Sequence, residues 1–573
     1  ELNWKDLKFR SCATVLLGAL CRTSAGLPGF PKAKVRSTEL QPEVVRLQPV
    51  IFPDNPIALE GLDALYLSSE RALELKDPQI KAILAWVQSG GHLIVGVDQM
   101  GDVNGTPWLR GMLPCRLTGT KSVSTQGAFL GWLQGEGLKR KDGSDVESRQ
   151  SSNEKNENLP TPENLYKAAG TNLVADPDFE SAQLQVAVAE VNSGAAVLAR
   201  SGGVPLAVQS LYGRGKVTVL TFSPERAPFN SWKNRDWLWA SLAEVPVNFY
   251  ESSDFYDWGY SPDAVFASMI ESEQIRKLPL LGLIVLLLVY LVVIGPVDQI
   301  VLRRMNKQML TWVTFPCYVI LFSALIYVIG FKLRAGESEY NELHLVDILP
   351  NENNAILRGR TYAAIYSPSN DRYLLESEQF IAALRGEYLS NWGSGNESSG
   401  AQVTYIGNRF AAEVYVPVWP SQMYVNDWWQ PVSGVPLSVS ISRDNPLHIT
   451  VMNHLDRKLQ QVRVCVNAKV YELGELAPLA QQDFSLETFF PMPLSEFVYQ
   501  EKIKFLEAAQ WRRQTFGSEN RRVKWDMARA ASAACFITEM NDHGSNSSKR
   551  FVGCDGLDLS RYAKDGSMIL LAW

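Results

Sequence analysis

The first half of the chain offers one clear candidate for chemistry, Asp98, which directly follows the apolar segment 92–97. We predict that this segment is a buried strand of a parallel sheet. Asp98 would then lie at the carboxyl end of the strand, the edge at which open α/β sheets bind ligands and ions. Asp98 is therefore a candidate ligand-binding residue. The alternative is that its carboxylate only caps the turn that follows the strand.

Nucleophilic catalysis would require a cysteine or serine next to a histidine that is itself oriented by a carboxylate. No cysteine lies within sixteen residues of Asp98, and the first histidine after His92 is His344. Ser68 and Ser69 end an apolar segment, but no GxSxG motif surrounds them, so we interpret them as turn or cap residues. We assign no catalytic residue.

Metal, cofactor and nucleic-acid sites have no signature in the sequence. The seven cysteines are scattered, odd in number and free of any CxxC pair. This pattern predicts neither a zinc site nor a dense disulfide framework. His448, His454 and His543 have no cysteine or carboxylate at ligand spacing, so we predict no metal and no cofactor. The net charge of −6 argues against a nucleic-acid partner, because such proteins usually carry a basic face.

A second candidate site is the aromatic segment 417–431, which contains Trp419, Tyr424, Trp428 and Trp429. Exposed aromatic rings can stack on a sugar or anchor a partner protein. The same rings can instead pack inside the fold or rest at a lipid interface. We retain the four residues as candidate ligand-binding positions beside that alternative.

The elements that would position Asp98 form a strand–helix–strand unit. Residues 63–68 read as a buried strand, and a helix follows in which Asp77 can serve as N-cap and Pro78 suits the first position. Glycines end that helix just before the strand 92–97. Consecutive strands joined in this way are parallel and buried on both faces. The segment 204–224 resembles a hairpin, and the apolar segment 12–21 indicates a buried strand rather than a targeting signal.

The second half of the chain changes to short alternating segments separated by turn residues, a pattern typical of an antiparallel β-sandwich. We assign this sandwich to 332–490, and a helical segment with a closing strand to 491–573. The α/β domain occupies 1–247, with an insertion at 135–160 that we predict to be flexible because it has almost no apolar residues. Residues 248–277 are assigned as a linker.

Between these halves lie two uncharged stretches, 278–297 and 310–331, of twenty and twenty-two residues. At about 1.5 Å per residue, each is long enough to cross a hydrocarbon core about 30 Å thick. We predict a transmembrane hairpin over 278–331. The alternative is a pair of buried helices in a soluble core, which would normally carry a polar stripe. Because the connection between the stretches is short, both large segments must lie on one side of the membrane.

The basic residues of that connection, Arg303, Arg304 and Lys307, indicate a cytoplasmic turn. Basic residues also flank the outer ends of the hairpin, so the charge rule gives only a modest preference. With the turn in the cytoplasm, the large domains would be extracytoplasmic.

The segments 60–69, 85–98 and 212–232 resemble the class I glutamine amidotransferase-like domain of bacterial membrane-anchored proteins. In that family the domain precedes a membrane hairpin with a GPVD…LRR connection, which corresponds here to 295–298 and 303–304. The resemblance covers residues 40–340 and is weaker beyond. It implies an α/β fold with a mostly parallel sheet in a bacterial inner membrane, and it places Asp98 where an active member has its nucleophilic cysteine.

The sequence therefore predicts a multi-pass inner-membrane protein with an amidotransferase-like α/β domain and a β-sandwich domain on the same face. Its expected role is non-catalytic recognition or scaffolding, with the lipid bilayer and other membrane or envelope proteins as partners. Two alternatives remain: an accessory subunit of a transporter or other membrane complex, and a hydrolase-like enzyme with an atypical site near Asp98. The oligomeric state is not encoded in any pattern that we recognise.

Overall fold

The computed structural model describes most of the chain as two folded bodies and two long apolar helices. The α/β body comprises the described residues up to 251, and the β-rich body comprises 259–272 and those from 337 onward. The insertion predicted at 135–160 lies outside the residues that the structure describes. The described residues are 14–37, 40–134, 173–246, 248–251, 259–272, 280–305, 308–333, 337–351, 354–388, 401–418, 421–442, 448–513, 523–542, 551–552, 556–564 and 567–573.

The α/β body is built on a mixed seven-stranded sheet in the order β2-β1-β3-β4-β9-β8-β7. The pairs from β2 to β9 are parallel, whereas β8 and β7 add an antiparallel edge. Two further strands, β5 and β6, form a separate antiparallel pair. The strands are β1 (Leu16–Leu20), β2 (Glu43–Arg46), β3 (Ala64–Ser68), β4 (His92–Gly96), β5 (Cys115–Ser124), β6 (Gln183–Val191), β7 (Ala196–Ser201), β8 (Val204–Tyr212) and β9 (Gly215–Leu220).

Both faces of the central sheet are buried, as the continuous apolar character of its strands predicts. Along β3, Tyr66 packs into a core with Trp239 on one face, while Leu65 and Leu67 pack with Trp86 on the other. The flanking helices are Ser69–Ala72, Asp77–Ser89, Met100–Asn104, Pro107–Met112, Ala128–Gln134, Pro177–Ser181, Arg235–Leu242 and Asn248–Glu251.

The strand–helix–strand unit lies where the sequence predicts it, with one shift. Lys76 is the N-cap of the helix and Asp77 is its first residue. The Lys76 N–H donates to the Gln79 side-chain oxygen at 2.9 Å. This bond satisfies the N–H of the cap residue, and Asp77 and Pro78 occupy the first two positions of the helix.

The β-rich body contains four antiparallel sheets, in the orders β10-β11-β16-β13, β12-β15-β14, β17-β18-β21 and β22-β20-β19-β23. Its longest strands, β10 and β11, pair over thirteen residues each. The strands are β10 (Glu339–Asn351), β11 (Asn354–Tyr366), β12 (Asp371–Glu376), β13 (Ile381–Gly386), β14 (Ala401–Ile406), β15 (Arg409–Val416), β16 (Gln422–Val432), β17 (Leu437–Ser442), β18 (His448–Asn453), β19 (Leu459–Val466), β20 (Lys469–Leu476), β21 (Gln481–Ser485), β22 (Met492–Pro493) and β23 (Ile569–Leu571).

One core joins segments of the β-rich body that the sequence assigned to different domains. The helix Pro262–Ile270, inside the expected linker 248–277, is almost wholly buried. It packs against β10, β11 and β16 and against helices from the expected separate segment 491–573. Those helices are Leu494–Tyr499, Lys502–Arg513, Met527–Ala534, Glu539–Asp542 and Ser560–Lys564.

Two helices are long and apolar enough to span a membrane. The candidate spans are Ile284–Arg304 and Thr311–Ile329, with mean hydropathies of 2.4 and 2.1. Only 6% of the most apolar stretch of each span is buried inside the protein. This exposure does not fit the alternative of two helices inside a soluble core, because core helices are covered by their own protein.

The turn between these helices is shorter than the sequence predicts. The first helix continues through Asp298 as far as Arg304, after a π-helical turn at Val293–Val297 that contains Pro296. Arg303 and Arg304 occupy its last turn, where cations interact favourably with the helix dipole. The second helix, Thr311–Leu333, accommodates Pro316.

Candidate functional site

The carboxyl ends of β3, β4 and β9 lie side by side because the three strands are parallel. Ser68 is the last residue of β3, Asp98 comes two residues after β4, and Ser223 comes three residues after β9. Parallel pairing therefore brings together polar groups that are far apart in sequence. We call this set of residues the polar edge.

The Asp98 carboxylate forms the centre of the polar edge. Oδ2 accepts the Ser68 hydroxyl at 2.5 Å, and Oδ1 accepts the Ser223 hydroxyl. The side chain is only 1% exposed. Asp98 thus ties the ends of β3 and β9 to that of β4, a wider structural role than capping the turn that follows.

A second set of bonds fixes the backbone around Asp98. Its N–H donates to the Ser69 hydroxyl at 2.8 Å, and that hydroxyl donates to the Asp102 carboxylate at 2.8 Å. The charged head of Arg226 lies 4.0 Å from Asp98 Oδ1, with its side chain 48% exposed. The two serines that the sequence suggested as turn residues are therefore both bonded to Asp98.

Glu225 is a second buried acidic residue at the same edge. Its carboxylate accepts the Arg22 and Thr23 N–H groups at 3.0 Å each and the Tyr66 hydroxyl at 3.1 Å. These bonds join the loop after β1 to the segment after β9. Burial, followed by the nearby negative charges of Glu225 and Asp98, raises the pKa of Tyr66 well above its ordinary value, so its hydroxyl remains a donor.

Cys21 is a cysteine at the polar edge. It directly follows β1 and lies near Glu225. Burial, with a further contribution from Glu225, raises the pKa of its thiol. A neutral thiol is a poor nucleophile, because the thiolate is the reactive form. Cys115 is also buried, and burial raises its pKa to about 11.

His92 lies at the opposite end of β4 from Asp98. Its Nε2 is 2.8 Å from the Thr218 hydroxyl, and burial lowers its pKa to about 4. Five residues, 93–97, separate it from Asp98 along an extended segment, so it cannot serve Asp98 or Cys21 as a base. Its surroundings are those of a neutral core histidine.

The polar edge can position groups, but it offers no accessible reactive atom in the described residues. Ser68 is 0% and Ser223 is 6% exposed, and each hydroxyl proton is directed at Asp98. A substrate would have to displace these bonds before it could reach either serine. The exposed groups at this edge include the charged side chains of Arg22, Arg226 and Glu70.

The aromatic candidates of the β-rich body are inside the fold. Tyr424 and Trp428 pack in one core between β16 and β15, and Trp429 points to the opposite face of β16. They are 2%, 7% and 2% exposed, respectively. Trp419 lies outside the described residues. The structure thus brings Tyr424 and Trp428 together, far along the chain from Asp98, and uses the three described rings for packing.

Among the described residues, no group of three or more histidine, cysteine, aspartate or glutamate side chains is arranged to hold a metal ion. The carboxylates of Asp98 and Glu225 both accept hydrogen bonds from this chain. They act as anchors for loops rather than as a converging set of free ligands.

Sequence reasoning missed Glu225, Ser223, Tyr66 and Cys21. One signal was present, because Ser223 and Glu225 follow the apolar strand β9 in the same way as Asp98 follows β4. That signal can be used only once β9 is known to pair in parallel with β4. The bond between Glu225 and the loop at Arg22 spans 203 residues, and no local pattern reports it.

Comparison with known proteins adds little to this description. No protein-family model matches the chain, and no curated protein matches it. Two cytoplasmic proteins of Salmonella typhimurium, STM1381 and STM3548, are 16% and 14% identical to the chain, with TM-scores of 0.24 and 0.25. Each match covers 41% of this chain, and 99% and 98% of the respective Salmonella chain.

An exo-beta-1,4-mannosidase, Op5Man5 of Opitutaceae bacterium strain TAV5, is 12% identical with a TM-score of 0.21. That match covers 40% of this chain and 35% of the mannosidase. Similarities at these TM-scores do not define a shared fold.

Proposed function

We propose that the chain is a membrane-anchored recognition or scaffold protein that holds two folded bodies on one face of a bilayer. The observation that carries this proposal is the pair of exposed apolar helices. Only 6% of the most apolar stretch of each helix is buried inside the protein. Leu287 is 56% and Trp312 is 86% exposed. Apolar surface on this scale has to be covered, and lipid matches its composition and length.

The flanks of the hairpin support the same-side arrangement. The Ser272 hydroxyl donates to the Glu339 carboxylate, and Asn341 donates to the Ile270 carbonyl at 3.1 Å. The chain therefore enters and leaves the hairpin from one small region of the β-rich body. A turn confined to about residues 305–310 has no room for a domain on the other side.

The resemblance to amidotransferase-like membrane proteins extends this proposal to the fold. A mixed sheet whose central strands are parallel, and which is covered on both faces, supports an amidotransferase-like α/β body. In the β-rich body, Tyr424 and Ile365 of one sheet share a core with Val414 and Phe410 of another, which supports a sandwich. We place the hairpin in a bacterial inner membrane, with the basic turn in the cytoplasm and both bodies extracytoplasmic.

The bonding of the polar edge supports a non-catalytic role. Both oxygens of Asp98 accept buried hydroxyls, and burial raises the pKa of the Cys21 thiol, which lies near Glu225. The proposed partners are other membrane or envelope proteins. Hydrolysis of glutamine or a simple ester by the purified protein, if lost in Asp98→Ala but kept in Asp77→Ala, would replace this proposal with the enzyme alternative.

Cysteine labelling of intact cells and inverted vesicles tests the topology. Single cysteines are placed at Val50, Phe490 and Met309, which are 84%, 99% and 88% exposed and mark the α/β body, the β-rich body and the turn. A membrane-impermeant maleimide should label Val50→Cys and Phe490→Cys from one side and Met309→Cys from the other. Labelling of the two bodies from opposite sides, or a protein soluble without detergent, would refute the proposal.

Labelling of both bodies in intact cells supports the extracytoplasmic assignment, and labelling only in inverted vesicles reverses it. Gentle solubilisation and purification then distinguish an accessory subunit of a transporter from a free-standing scaffold. Stable association with an ATPase or permease would favour an accessory subunit of a transporter. A chain that purifies with no such complex would favour the free-standing scaffold.

A further inference from the structure

The two bodies meet through a buried arginine. Arg358, on β11, donates from Nε to Glu60 Oε1 of the α/β body at 3.0 Å, and from Nη1 to the Gly556 carbonyl at 3.0 Å. Asp347, on β10, lies 3.7 Å from the same guanidinium. The Arg358 side chain is 11% exposed and that of Glu60 is 19% exposed. This arginine therefore joins β11 to both the α/β body and the C-terminal part of the chain.

Further contacts surround Arg358 on both sides of the junction. Arg214 of the α/β body pairs with Asp347 at 2.5 Å, and the Arg358 guanidinium lies 5.9 Å from the centre of the Trp429 ring. Ala85 of the α/β body shares a small apolar core with Leu349 and Trp429. These charge pairs are partly buried, with side chains 11–28% exposed, and together with the apolar packing they favour one relative orientation of the two bodies.

The junction between the two bodies lies at the amino ends of the parallel strands, whereas the polar edge lies at their carboxyl ends. Glu60 precedes β3, and Arg214 lies in the turn that precedes β9. Gly90 precedes β4, and its carbonyl accepts the Arg561 guanidinium at 3.4 Å. The β-rich body therefore covers the amino ends of the strands and leaves Asp98 at the far edge.

Strand β10 separates this junction from the hairpin. Glu339, at the start of β10, bonds Ser272 next to the two apolar helices, and Asp347 lies eight residues further along the strand. At about 3.3 Å per residue, these two positions are about 26 Å apart. The α/β body is thus attached at the end of β10 remote from the hairpin.

We propose that Arg358 is a latch that fixes the two bodies into one rigid arm, with the polar edge around Asp98 at the end remote from the membrane. The latch follows from the contacts between the bodies, whereas the direction of the arm rests on the proposed membrane anchorage. A partner of the polar edge then comes from the aqueous phase and not from the lipid surface. Its contacts would be the exposed charges Arg22, Arg226 and Glu70.

Spin labels test the latch in detergent-solubilised protein. Labels are attached to Leu211→Cys on the α/β body and Leu374→Cys on the β-rich body, in a background with Cys12, Cys317 and Cys554 changed to serine. Both label sites are well exposed, at 64% and 65%. The distance distribution by pulsed electron paramagnetic resonance should be a single narrow peak, and Arg358→Ala should at least double its width.

Two variants make that result specific. Glu60→Gln weakens the same bond from the other body with little change in volume, and should broaden the distribution in the same direction. Arg372→Ala removes an exposed ion pair with Glu413 and should leave the peak narrow. Amide exchange in β4 and in β16 should stay slow in each variant, which would show that both bodies remain folded. Distributions as narrow as wild type in both Arg358→Ala and Glu60→Gln would overturn the latch.

Fluorescence quenching tests the direction of the arm. The protein carries a fluorophore on a single introduced cysteine and is placed in lipid nanodiscs whose headgroups carry a quencher. A label at Tyr340→Cys, near the hairpin, should be quenched, whereas a label at Leu73→Cys, near the polar edge, should not. Equal quenching at both positions would refute the remote position of the edge. Quenching at neither position would contradict the membrane anchorage itself, while the spin-label result would still decide the latch.

Discussion

Replacement of Asp98 by alanine is the most direct test of its structural role at the polar edge. The change removes the acceptor of two buried hydroxyls, those of Ser68 and Ser223, and leaves the Ser69 hydroxyl bonded to the backbone. We expect the ends of β3, β4 and β9 to open more often, because the substitution takes away the group that joins them.

The magnitude follows from the bonds that are lost. A hydrogen bond to a charged group contributes about 1.5–3 kcal/mol, so two such bonds give about 3–6 kcal/mol. Removing the carboxylate also removes the cost of burying it, which lowers the net loss to about 3 kcal/mol. Asp98→Asn should cost less, because serine hydroxyls can accept as well as donate and an amide can satisfy both.

Amide hydrogen exchange on the full-length protein, followed by peptide mass spectrometry, measures the local effect. A loss of about 3 kcal/mol in opening free energy corresponds to about 100-fold faster exchange, since 1.4 kcal/mol is a factor of ten. We expect this acceleration in peptides that cover β3 and β4, with no change in β10 and β11. Local measurement is appropriate because a chain with two bodies need not unfold in one step.

Asp77→Ala is the matched control. Asp77 pairs with Lys81 at the surface of the neighbouring helix, and both side chains are 73% exposed. Exposed pairs at this spacing contribute about 0.3–0.5 kcal/mol, so exchange should change about twofold at most. Equal exchange rates in Asp98→Ala and wild type would refute the view that Asp98 holds the strand ends together.

Three further predictions concern buried groups elsewhere. Arg512→Met should destabilise the β-rich body by about 3–5 kcal/mol, measured by amide exchange in its helices, because Glu387 would remain buried without its arginine. Gly359→Ala should cost about 1–3 kcal/mol in the same assay, since a Cβ there would lie 2.0 Å from the Trp428 ring. Gly386→Ala is the control and should leave the stability unchanged, because a Cβ there would meet open space. Burial lowers the pKa of His92 from 6.5 to about 4, so the unfolded chain binds more protons in this range and stability should fall as the pH drops through it, by up to about 3 kcal/mol. His92→Gln should flatten that pH dependence in urea unfolding of the α/β body.

The apolar elements were predictable from sequence because their patterns are local. Strands β3 and β4 and the helix between them lie within two residues of their expected bounds, since continuous apolar segments and a glycine stop define them. The two long apolar helices follow in the same way from their length and composition. Only the end of the first was misplaced, because the charged residues after Pro296 suggested a loop although they are compatible with a helix.

Other features depend on contacts that no short window contains. The helix Pro262–Ile270 lies in a segment with no local signal of a core element, because it is only nine residues long and is covered from several directions by distant strands and helices. Strands β10 and β11 carry charged residues such as Asp347 and Arg358, which conceal their apolar alternation. Those charges are stable there because each has a partner across the junction between the bodies.

The two edges of the parallel sheet use buried charge in different ways, and this difference constrains recognition. At the amino edge, Glu60 is neutralised by an arginine of the other body, so this edge is already an interface. At the carboxyl edge, the hydrogen bonds to Asp98 come from Ser68 and Ser223, and those to Glu225 come from the loop after β1 and from Tyr66, among the described residues of the same body. Those buried acids are held by hydrogen bonds within their own body, so recognition at this edge would depend on the exposed side chains around them. Substitution of Arg226 should then weaken a bound partner without loosening the fold, whereas substitution of Asp98 should do both, because its loss disorders the surface that carries Arg226.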